Sequence, residues 1–364
     1  MTILRLITLS IVLVLPVSAR AQAPDIALLA DKAAREQFEK QKLVGLGVAV
    51  VHDGKIVFQK GYGHADKEKN VAVDPAKTLF RWASVSKPLT AVAALQLVEA
   101  GKLDLDKDIR EYVPEFPDKG VKITTRQLLG HQAGIVHYTN GKVIITKRDY
   151  ETKNPFEDVV LALDTFKESP LVNQPDEKFS YTTHGYILLS AVVQRAGNEK
   201  FADQVQARIV KPLGATTLQP DYQWKDIPNR AVGYVLEKDE VKRSTDTDVS
   251  WKLGGGGYVS SVEDFARFAA GLINRKLVAE KTEAKMWQRQ VLTNNRVTNY
   301  GLGFAIGLTP SRRPWVGHDG AQEKTRTIMM LEPASRRGVV VMTNSEWANP
   351  AQVANSVLDA ITPK

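Results

Sequence analysis

Ser84 and Lys87 stand three residues apart in the stretch RWASVSKPLT, a spacing that can form a nucleophile and its base. No other serine of the chain precedes a lysine at this distance. On a helix the two side chains share one face, one turn apart. A desolvated lysine can take the proton that a serine must lose to attack. The alternative is a capping serine beside an exposed lysine, and about one such spacing is expected by chance in a chain of this length.

Two further stretches place polar residues beside predicted elements. Tyr181 lies in a polar turn before an apolar helix, where neighbouring cations would lower its pKa and let it share the work of a base. His318, Asp319 and Gly320 precede a predicted strand, whose edge can offer a backbone N–H to a developing oxyanion. We expect Gly320 to let the substrate approach closely, because glycine has no side chain.

The order and spacing of these stretches resemble the penicillin-recognising serine hydrolases. Ser-Val-Ser-Lys is followed about a hundred residues later by Tyr-Thr-Thr, and His-Asp-Gly comes near the C-terminus. Flanking stretches such as GKLDLDKDIREYVPEFP and ITTRQLLGHQAGIVHY extend the likeness. The chain is similar to the serine β-lactamase-related family, in its class C-like and penicillin-binding group, and most resembles the serine β-lactamase-like protease branch. The resemblance covers roughly residues 35 to 360.

This resemblance implies hydrolysis through a covalent acyl-enzyme. By analogy, Ser84 attacks a carbonyl, Lys87 accepts its proton, and Tyr181 protonates the leaving group and later activates water. The backbone N–H groups of Ser84 and Ala321 would form the oxyanion hole. His318 replaces the lysine of the family's third motif, and would orient the substrate or tune Tyr181. The analogy requires no metal and no other cofactor.

Some positions around the expected substrate site depart from the family pattern. Thr183 stands where many members carry asparagine, which weakens the expectation that the site recognises the side-chain amide of a β-lactam. Ala321 and Lys324 replace glycines that often follow the third motif, and so narrow or charge the edge along which a substrate would lie. None of these changes affects the expected nucleophile or bases.

The surrounding elements predict an α/β fold of the α+β type. An amphipathic helix over residues 25 to 43 precedes two apolar runs joined by Asp53-Gly54, a hairpin signal. Helices are predicted from 84 to about 100 and across THGYILLSAVVQRAG. The strand-like runs YGLGFAIGL, TRTIMMLEP and RGVVVMTN then lead to a last helix from about 350 to 361.

Strands near both ends of the chain predict one antiparallel sheet flanked by helices, with a mostly helical lobe inserted. We expect residues 22–364 to form one hydrolase domain. Its sheet lobe would comprise about 25–80 and 255–364, and its helical lobe about 84–250. A cleft between two such lobes is a usual place for a ligand.

Two conspicuous patterns favour structure over chemistry. The run LGGGG lacks the Lys-Ser/Thr of a phosphate-binding loop, so we expect its glycines to allow close backbone packing. Ser261 and Asp264 then predict a capped helix start. His131 and His137 lack the spacing of a metal motif, so we expect no metal site and a buried His131 that bonds to the backbone.

Residues 1–21 predict a secretory signal peptide, with Arg5, an apolar run and a small-residue exit at Ala19-Arg20-Ala21; a membrane anchor is the alternative. We therefore expect a periplasmic or secreted protein. The chain has no cysteine, which excludes disulfides, cysteine nucleophiles and zinc–thiolate sites. Its net charge of +8 is interspersed with acids, which argues against a nucleic-acid interface and is compatible with association with anionic envelope polymers.

The leading hypothesis is an exported serine hydrolase acting on small esters or peptide amides. The alternatives are a DD-carboxypeptidase or endopeptidase on peptidoglycan stems, a β-lactamase, or a binding or scaffold protein that keeps the fold without turnover. Intact Ser84, Lys87 and Tyr181 favour an enzyme. We expect a small-molecule or peptide substrate as the partner. Fold and motif fix neither that substrate nor the oligomeric state.

Overall fold

The computed structural model describes residues 25–362, so the predicted signal peptide lies outside the described residues. The helices are α1 (Ile26–Lys40), α2 (Ser86–Glu99), α3 (Thr125–Leu129), α4 (Thr183–Gly197), α5 (Phe201–Val205), α6 (Lys211–Leu213), α7 (Leu253–Gly256), α8 (Val262–Ile273), α9 (Glu280–Met286) and α10 (Pro350–Ile361). The strands are β1 (Gly45–His52), β2 (Lys55–Asp66), β3 (Val71–Ala72), β4 (Phe80–Arg81), β5 (Gln219–Pro220), β6 (Tyr234–Glu237), β7 (Glu240–Arg243), β8 (Tyr258–Ser260), β9 (Ala305–Leu308), β10 (Pro314–Gln322), β11 (Thr325–Glu332) and β12 (Arg337–Thr343).

Within residues 25–362, seven strands form an antiparallel sheet in the order β3-β2-β1-β12-β11-β10-β9. Strands β1 and β12 pair at its centre, so the two ends of the chain meet there. This confirms the predicted fold class. The β1–β2 hairpin turns at Asp53 (φ 49°) and Gly54 (φ 70°), both left-handed as a two-residue type I′ turn requires.

Both faces of the sheet are covered, because successive strand residues point to opposite sides. Val339 and Val341 of β12 pack with the helices α1 and α10. Val340 and Met342 face the main core, which includes residues of α2, α4 and α8. A strand buried on both faces reads as a continuous apolar run, and RGVVVMTN has that character.

The segment between the two halves of the sheet contains mostly short and medium-length helices, with α2 packed against α4, and the three-stranded sheet β4-β8-β5. It also contains the hairpin β6–β7, which the sequence did not predict. The glycine run forms α7 and lies against α4: a Cβ at Gly254 would be 2.6 Å from the Cβ of Ser190. This confirms the expected close packing, whereas the division into two lobes stays a prediction. No helix among residues 25–362 has both the length and the apolarity needed to cross a membrane.

Candidate active site

Ser84 lies in a single 3₁₀ turn, Ala83–Val85, that leads directly into α2. Trp82 anchors this turn, since its indole Nε1 donates to Ser260 Oγ at 2.7 Å and its ring centroid lies 4.7 Å from that of Phe265. Ala83 has a φ of 48°, which is uncommon for a residue with a Cβ. The surrounding contacts must therefore hold the backbone in this conformation, next to the expected nucleophile.

Strand β11 holds the chain just before the turn. Thr325 Oγ1 donates to the carbonyl oxygen of Arg81 at 3.0 Å, and Thr327 Oγ1 donates to that of Trp82 at 2.9 Å. Both threonines are fully buried. Sequence reasoning missed them, because polar residues at alternate positions of a strand usually signal a solvent-facing side.

Lys87 is the second residue of α2, and its side chain is wholly buried. Its Nζ lies 3.0 Å from Ser84 Oγ, 2.8 Å from the carbonyl oxygen of Gly255 and 3.4 Å from Thr183 Oγ1. Burial, helped by the nearby charge of Lys252, lowers the pKa of Lys87 well below its ordinary value. A neutral amine can donate to the glycine and threonine oxygens while its lone pair faces the serine hydroxyl. The expected desolvation of Lys87 is therefore present.

The carbonyl groups of the glycine run are a part of the site that sequence reasoning missed. Gly255 supplies an acceptor to Lys87, and the carbonyl oxygen of Gly254 accepts from Thr90 Oγ1 at 2.6 Å. A short helix such as α7 leaves its last carbonyl groups without internal partners, so they can serve α2 instead. The glycine run therefore not only packs closely against α4 but also supplies hydrogen-bond acceptors to Lys87 and Thr90 of α2.

Two histidines fix the chain around Tyr181, directly before α4. His131 Nδ1 accepts from the backbone N–H of Thr182, and His137 Nδ1 accepts from that of Thr183, each at 3.2 Å. Both rings must therefore carry their proton on Nε2. Burial lowers the pKa of His137 to about 4 and that of His131 well below its ordinary value, which keeps them neutral. The expected backbone bond of His131 is confirmed, although its buried Nε2 has no partner among the described residues.

The expected lowering of the pKa of Tyr181 is wrong. Burial raises its pKa, and a hydrogen bond with Ser84 opposes this only in part. Lys87 Nζ lies 4.8 Å from the centroid of the Tyr181 ring, but burial favours the neutral amine and so removes the cation that was expected to act. At neutral pH Tyr181 is a phenol, and therefore a proton donor rather than a base.

His318, Asp319 and Gly320 lie inside strand β10, which corrects the expectation that they precede a strand. The apolar run that suggested a strand is its neighbour β11. Strand β9 pairs with β10 only from Pro314 to Gly317. The part of β10 that carries the third motif therefore has an unpaired edge on that side.

Gly320 packs closely against the turn Ala83–Val85 that carries the expected nucleophile (the nucleophile turn), and its expected role toward a substrate stays a prediction. A Cβ at Gly320 would lie 2.6 Å from the carbonyl oxygen of Trp82 and 3.0 Å from the Cβ of Ala83, so a side chain would push β10 away from the turn. Ala321, the next residue, is exposed on the same strand. This places its backbone beside the Ser84 turn, but the role of its N–H in an oxyanion hole stays a prediction.

His318 is buried beside Tyr181, with ring centroids 6.1 Å apart, and only 3% of it is exposed. Burial lowers the pKa of His318 to about 4, so the ring is neutral at pH 7. Its Nδ1 lies 2.5 Å from the carbonyl oxygen of Asp319, which requires the proton on Nδ1. The ring can tune Tyr181 but presents little surface to a substrate; both expected roles stay predictions.

The structure therefore brings the predicted site residues into one cleft: Ser84, Lys87, Tyr181, Thr183, His318, Gly320 and Ala321. Their catalytic roles stay predictions. Among residues 25–362, no group of three or more His, Asp or Glu side chains is arranged to hold a metal ion.

The chain is similar to known proteins in sequence and in fold. The beta-lactamase family model matches residues 30–362. The mitochondrial serine beta-lactamase-like protein LACTB of Bos taurus is 34% identical over 299 residues, covering 63% of this chain and 53% of that protein. The putative penicillin-binding protein PbpX of Bacillus subtilis is 31% identical over 257 residues, covering 71% of this chain and 61% of that protein. The solved structure of EstCE1, a hydrolase with promiscuous acyltransferase activity, superposes with a TM-score of 0.78 at 20% identity, over 93% of this chain and 98% of that one.

The chain belongs to the beta-lactamase family, whose fold is that of serine hydrolases. It spans between about half and three fifths of the length of these curated relatives. The predicted resemblance is thus confirmed at the level of family and fold.

Proposed function

We propose that this chain is an exported serine hydrolase that cleaves small esters or peptide amides through an acyl-enzyme on Ser84. One observation carries the proposal: the wholly buried Lys87 amine lies 3.0 Å from Ser84 Oγ. Burial lowers the pKa of this amine, which makes it a base at the pH where a serine needs one. This arrangement favours an enzyme over a binding or scaffold protein.

In the proposed reaction, Ser84, Lys87 and Tyr181 exchange the protons that the bond changes require. Ser84 Oγ bonds to the substrate carbonyl carbon while its proton passes to Lys87. The oxyanion forms against the N–H groups of Ser84 and Ala321 and then collapses, and the leaving group takes a proton from Tyr181. The Lys87 ammonium reprotonates the phenol. Water then attacks the carbonyl carbon of the acyl-enzyme, the bond from this carbon to Ser84 Oγ breaks, and the acid leaves. A proton of the water restores the serine hydroxyl.

The relatives support hydrolysis but differ in what their names say. EstCE1 is described as a hydrolase, whereas PbpX is named as a putative penicillin-binding protein. We favour esters and peptide amides over β-lactams because Thr183 holds the family's asparagine position and approaches Lys87. Export is supported by the pattern of residues 1–21.

Intact-mass spectrometry of the purified protein tests the nucleophile. The protein is incubated separately with a fluorophosphonate probe, a penicillin and an activated short-chain ester, beside Ser84→Ala. Ser86→Ala is the matched control, since Ser86 is a buried serine two residues away whose hydroxyl has no partner among the described residues. We expect a fluorophosphonate adduct and rapid ester turnover in wild type and Ser86→Ala, and neither in Ser84→Ala.

A lasting penicillin adduct on Ser84 without ester turnover would replace the proposal by a penicillin-binding function. No adduct with any reagent would favour a binding or scaffold protein. For export, N-terminal sequencing of protein recovered from the periplasm or medium should show loss of residues 1–21; their retention in a membrane fraction would indicate an anchor instead.

A further inference from the structure

Next to Tyr181 the cleft opens into a pocket of about 410 Å³, a size suited to a small ligand. Its walls are largely apolar and include Phe179, Tyr181, Tyr300 and Ala305. Asp319 lies at its rim, on the unpaired edge of β10, with 72% of its side chain exposed. The pocket shares Tyr181 with the proposed reaction, so a group bound there belongs to the substrate.

Among the residues that line this pocket, the negatively charged one is Asp319. His318 also lines it, but burial lowers the pKa of that ring to about 4, so it adds no positive charge at pH 7. Within residues 25–362, the ring of His318, at 3.8 Å, is the only basic group within ion-pair distance of the Asp319 carboxylate. The basic residues Lys178 and Arg296 line the adjoining groove beyond Phe179 instead.

Aromatic walls beside a carboxylate have a definite ligand preference. The faces of aromatic rings attract ammonium groups, and a carboxylate that lacks a salt-bridge partner adds a counter-charge. The same carboxylate repels a substrate that carries a carboxylate of its own. Asp319 lies on the edge of β10, the strand that contacts the Ser84 turn. Its carboxylate therefore acts on a part of the substrate near the bond to be cleaved.

We propose that this pocket selects substrates by charge: it binds a portion of the substrate that combines an apolar group with an ammonium, and Asp319 disfavours anionic substrates. This inference rests on the proposed serine hydrolase function, and it narrows the substrate class to amine-bearing esters and amides.

Three thiobenzyl esters test the inference at about pH 6, where the α-amine of an amino-acid thioester is largely protonated. They are the esters of phenylalanine (cationic), N-acetylphenylalanine (neutral) and N-succinylphenylalanine (anionic). Release of the thiol is followed with a disulfide reagent, which gives no protein background because the chain has no cysteine. kcat/KM is measured for each ester with wild type, Ser84→Ala, Asp319→Asn and Glu323→Gln. Glu323 is an exposed acid four residues further on that does not line the pocket, so its variant removes the same charge nearby.

We expect the wild type to prefer the cationic ester, and its preference over the anionic ester to fall with added salt. In Asp319→Asn the preference should fall about fivefold, in keeping with a largely exposed charge, whereas Glu323→Gln should retain it. An anionic preference in wild type, or an equal loss in both variants, would overturn the inference. If Ser84 is not the nucleophile, turnover of the esters will not depend on it, so failure of the proposed function is distinguishable from failure of charge selection.

Discussion

Lys87 shows how burial changes the charge state of one side chain in the cleft. Removing an ammonium from water is costly, so burial favours the neutral amine unless a carboxylate compensates. The nearest polar partners of Lys87 Nζ are oxygen atoms of Ser84, Thr183 and Gly255, and none of them is charged. The neutral oxygens satisfy the N–H donors but do not restore the charge, which leaves the amine able to accept a proton.

Tyr181 is the proposed proton donor, whereas Lys87 is the proposed base. Because burial raises the pKa of its phenol, we expect Tyr181→Phe to slow proton donation to the leaving group. kcat should fall by about a hundredfold or more for an amide or an alkyl ester with a poor leaving group. It should fall much less for an activated aryl ester, whose leaving group needs no proton. The measurement is steady-state kinetics with both substrates.

Tyr138→Phe is the control for this variant, because Tyr138 is an exposed phenol beside His137 and touches the same region. It should leave both rates close to wild type. Equal losses on both substrates in Tyr181→Phe would show that the ring positions the site rather than donating a proton.

At the scale of elements, the glycine run both packs against α4 and contacts Lys87. Helix α7 lies against α4 and presents Gly255 to Lys87. A methyl group at Gly254 would meet Ser190 at 2.6 Å and the carbonyl oxygen of Tyr186 at 2.9 Å, so α7 would have to move. We expect Gly254→Ala to lower the free energy of unfolding by about 1–3 kcal/mol and to lower activity as well. Urea unfolding and ester hydrolysis measure the two effects.

Gly256→Ala is the matched substitution in the same run. Its Cβ would meet first the side-chain oxygen of Gln322 at 3.2 Å, the end of a flexible side chain that can move aside. We expect a smaller loss of stability than for Gly254→Ala. Equal losses would mean that the contact between α7 and α4 does not decide the effect.

Most of the elements could be predicted from the sequence, because their patterns are local. The Asp53-Gly54 turn, the apolar helix of α4 and the strands β11 and β12 carry their periodicity in adjacent residues. Strand β10 could not be predicted, because its stretch around His318, Asp319 and Gly320 has no clear alternation of apolar and polar residues.

The part of the candidate site that the sequence could predict is the part set by residue type and short spacing. Ser84 and Lys87 are three residues apart, so their contact follows from one turn of helix. The carbonyl oxygen of Gly255 and the hydroxyls of Thr325 and Thr327 come from distant parts of the chain, and a carbonyl group leaves no trace in the sequence. The pKa of Tyr181 depends on the whole surrounding core and was therefore mispredicted.

At the scale of the molecule, the central pairing of β1 with β12 makes the fold depend on both ends of the chain. Helices α1 and α10 cover the same face of the sheet, on the side away from the cleft. The nucleophile turn contacts β10 and β11, which continue this sheet. Loss of packing on the far face should therefore unfold the cleft together with the sheet.

Leu358→Ala in α10 tests this dependence. Leu358 is fully buried, and its truncation should lower the free energy of unfolding by about 2–5 kcal/mol. Leu28→Ala in α1 is the control, since Leu28 is 66% exposed and should cost less than about 0.5 kcal/mol. Urea unfolding followed by tryptophan fluorescence, circular dichroism and activity should give one coincident transition. Activity lost well before the fluorescence change would show that the cleft unfolds independently.

The central claim is that neutral Lys87 activates Ser84, and the pH dependence of the reaction of Ser84 with a fluorophosphonate tests it most directly. The rate constant for the fluorophosphonate adduct, mapped to Ser84, is measured between pH 5 and 10 for wild type, Lys87→Met and Lys252→Met. Because the neutral amine is the active form, the rate should rise with pH and level off well below the ordinary lysine pKa of 10.5.

Lys252→Met should move this rise to higher pH, because the charge of Lys252 helps to lower the pKa of Lys87. Lys87→Met should lose the rise and at least about a hundredfold in rate. A wild-type rate that still climbs at pH 10, or an unchanged rate in Lys87→Met, would contradict the account.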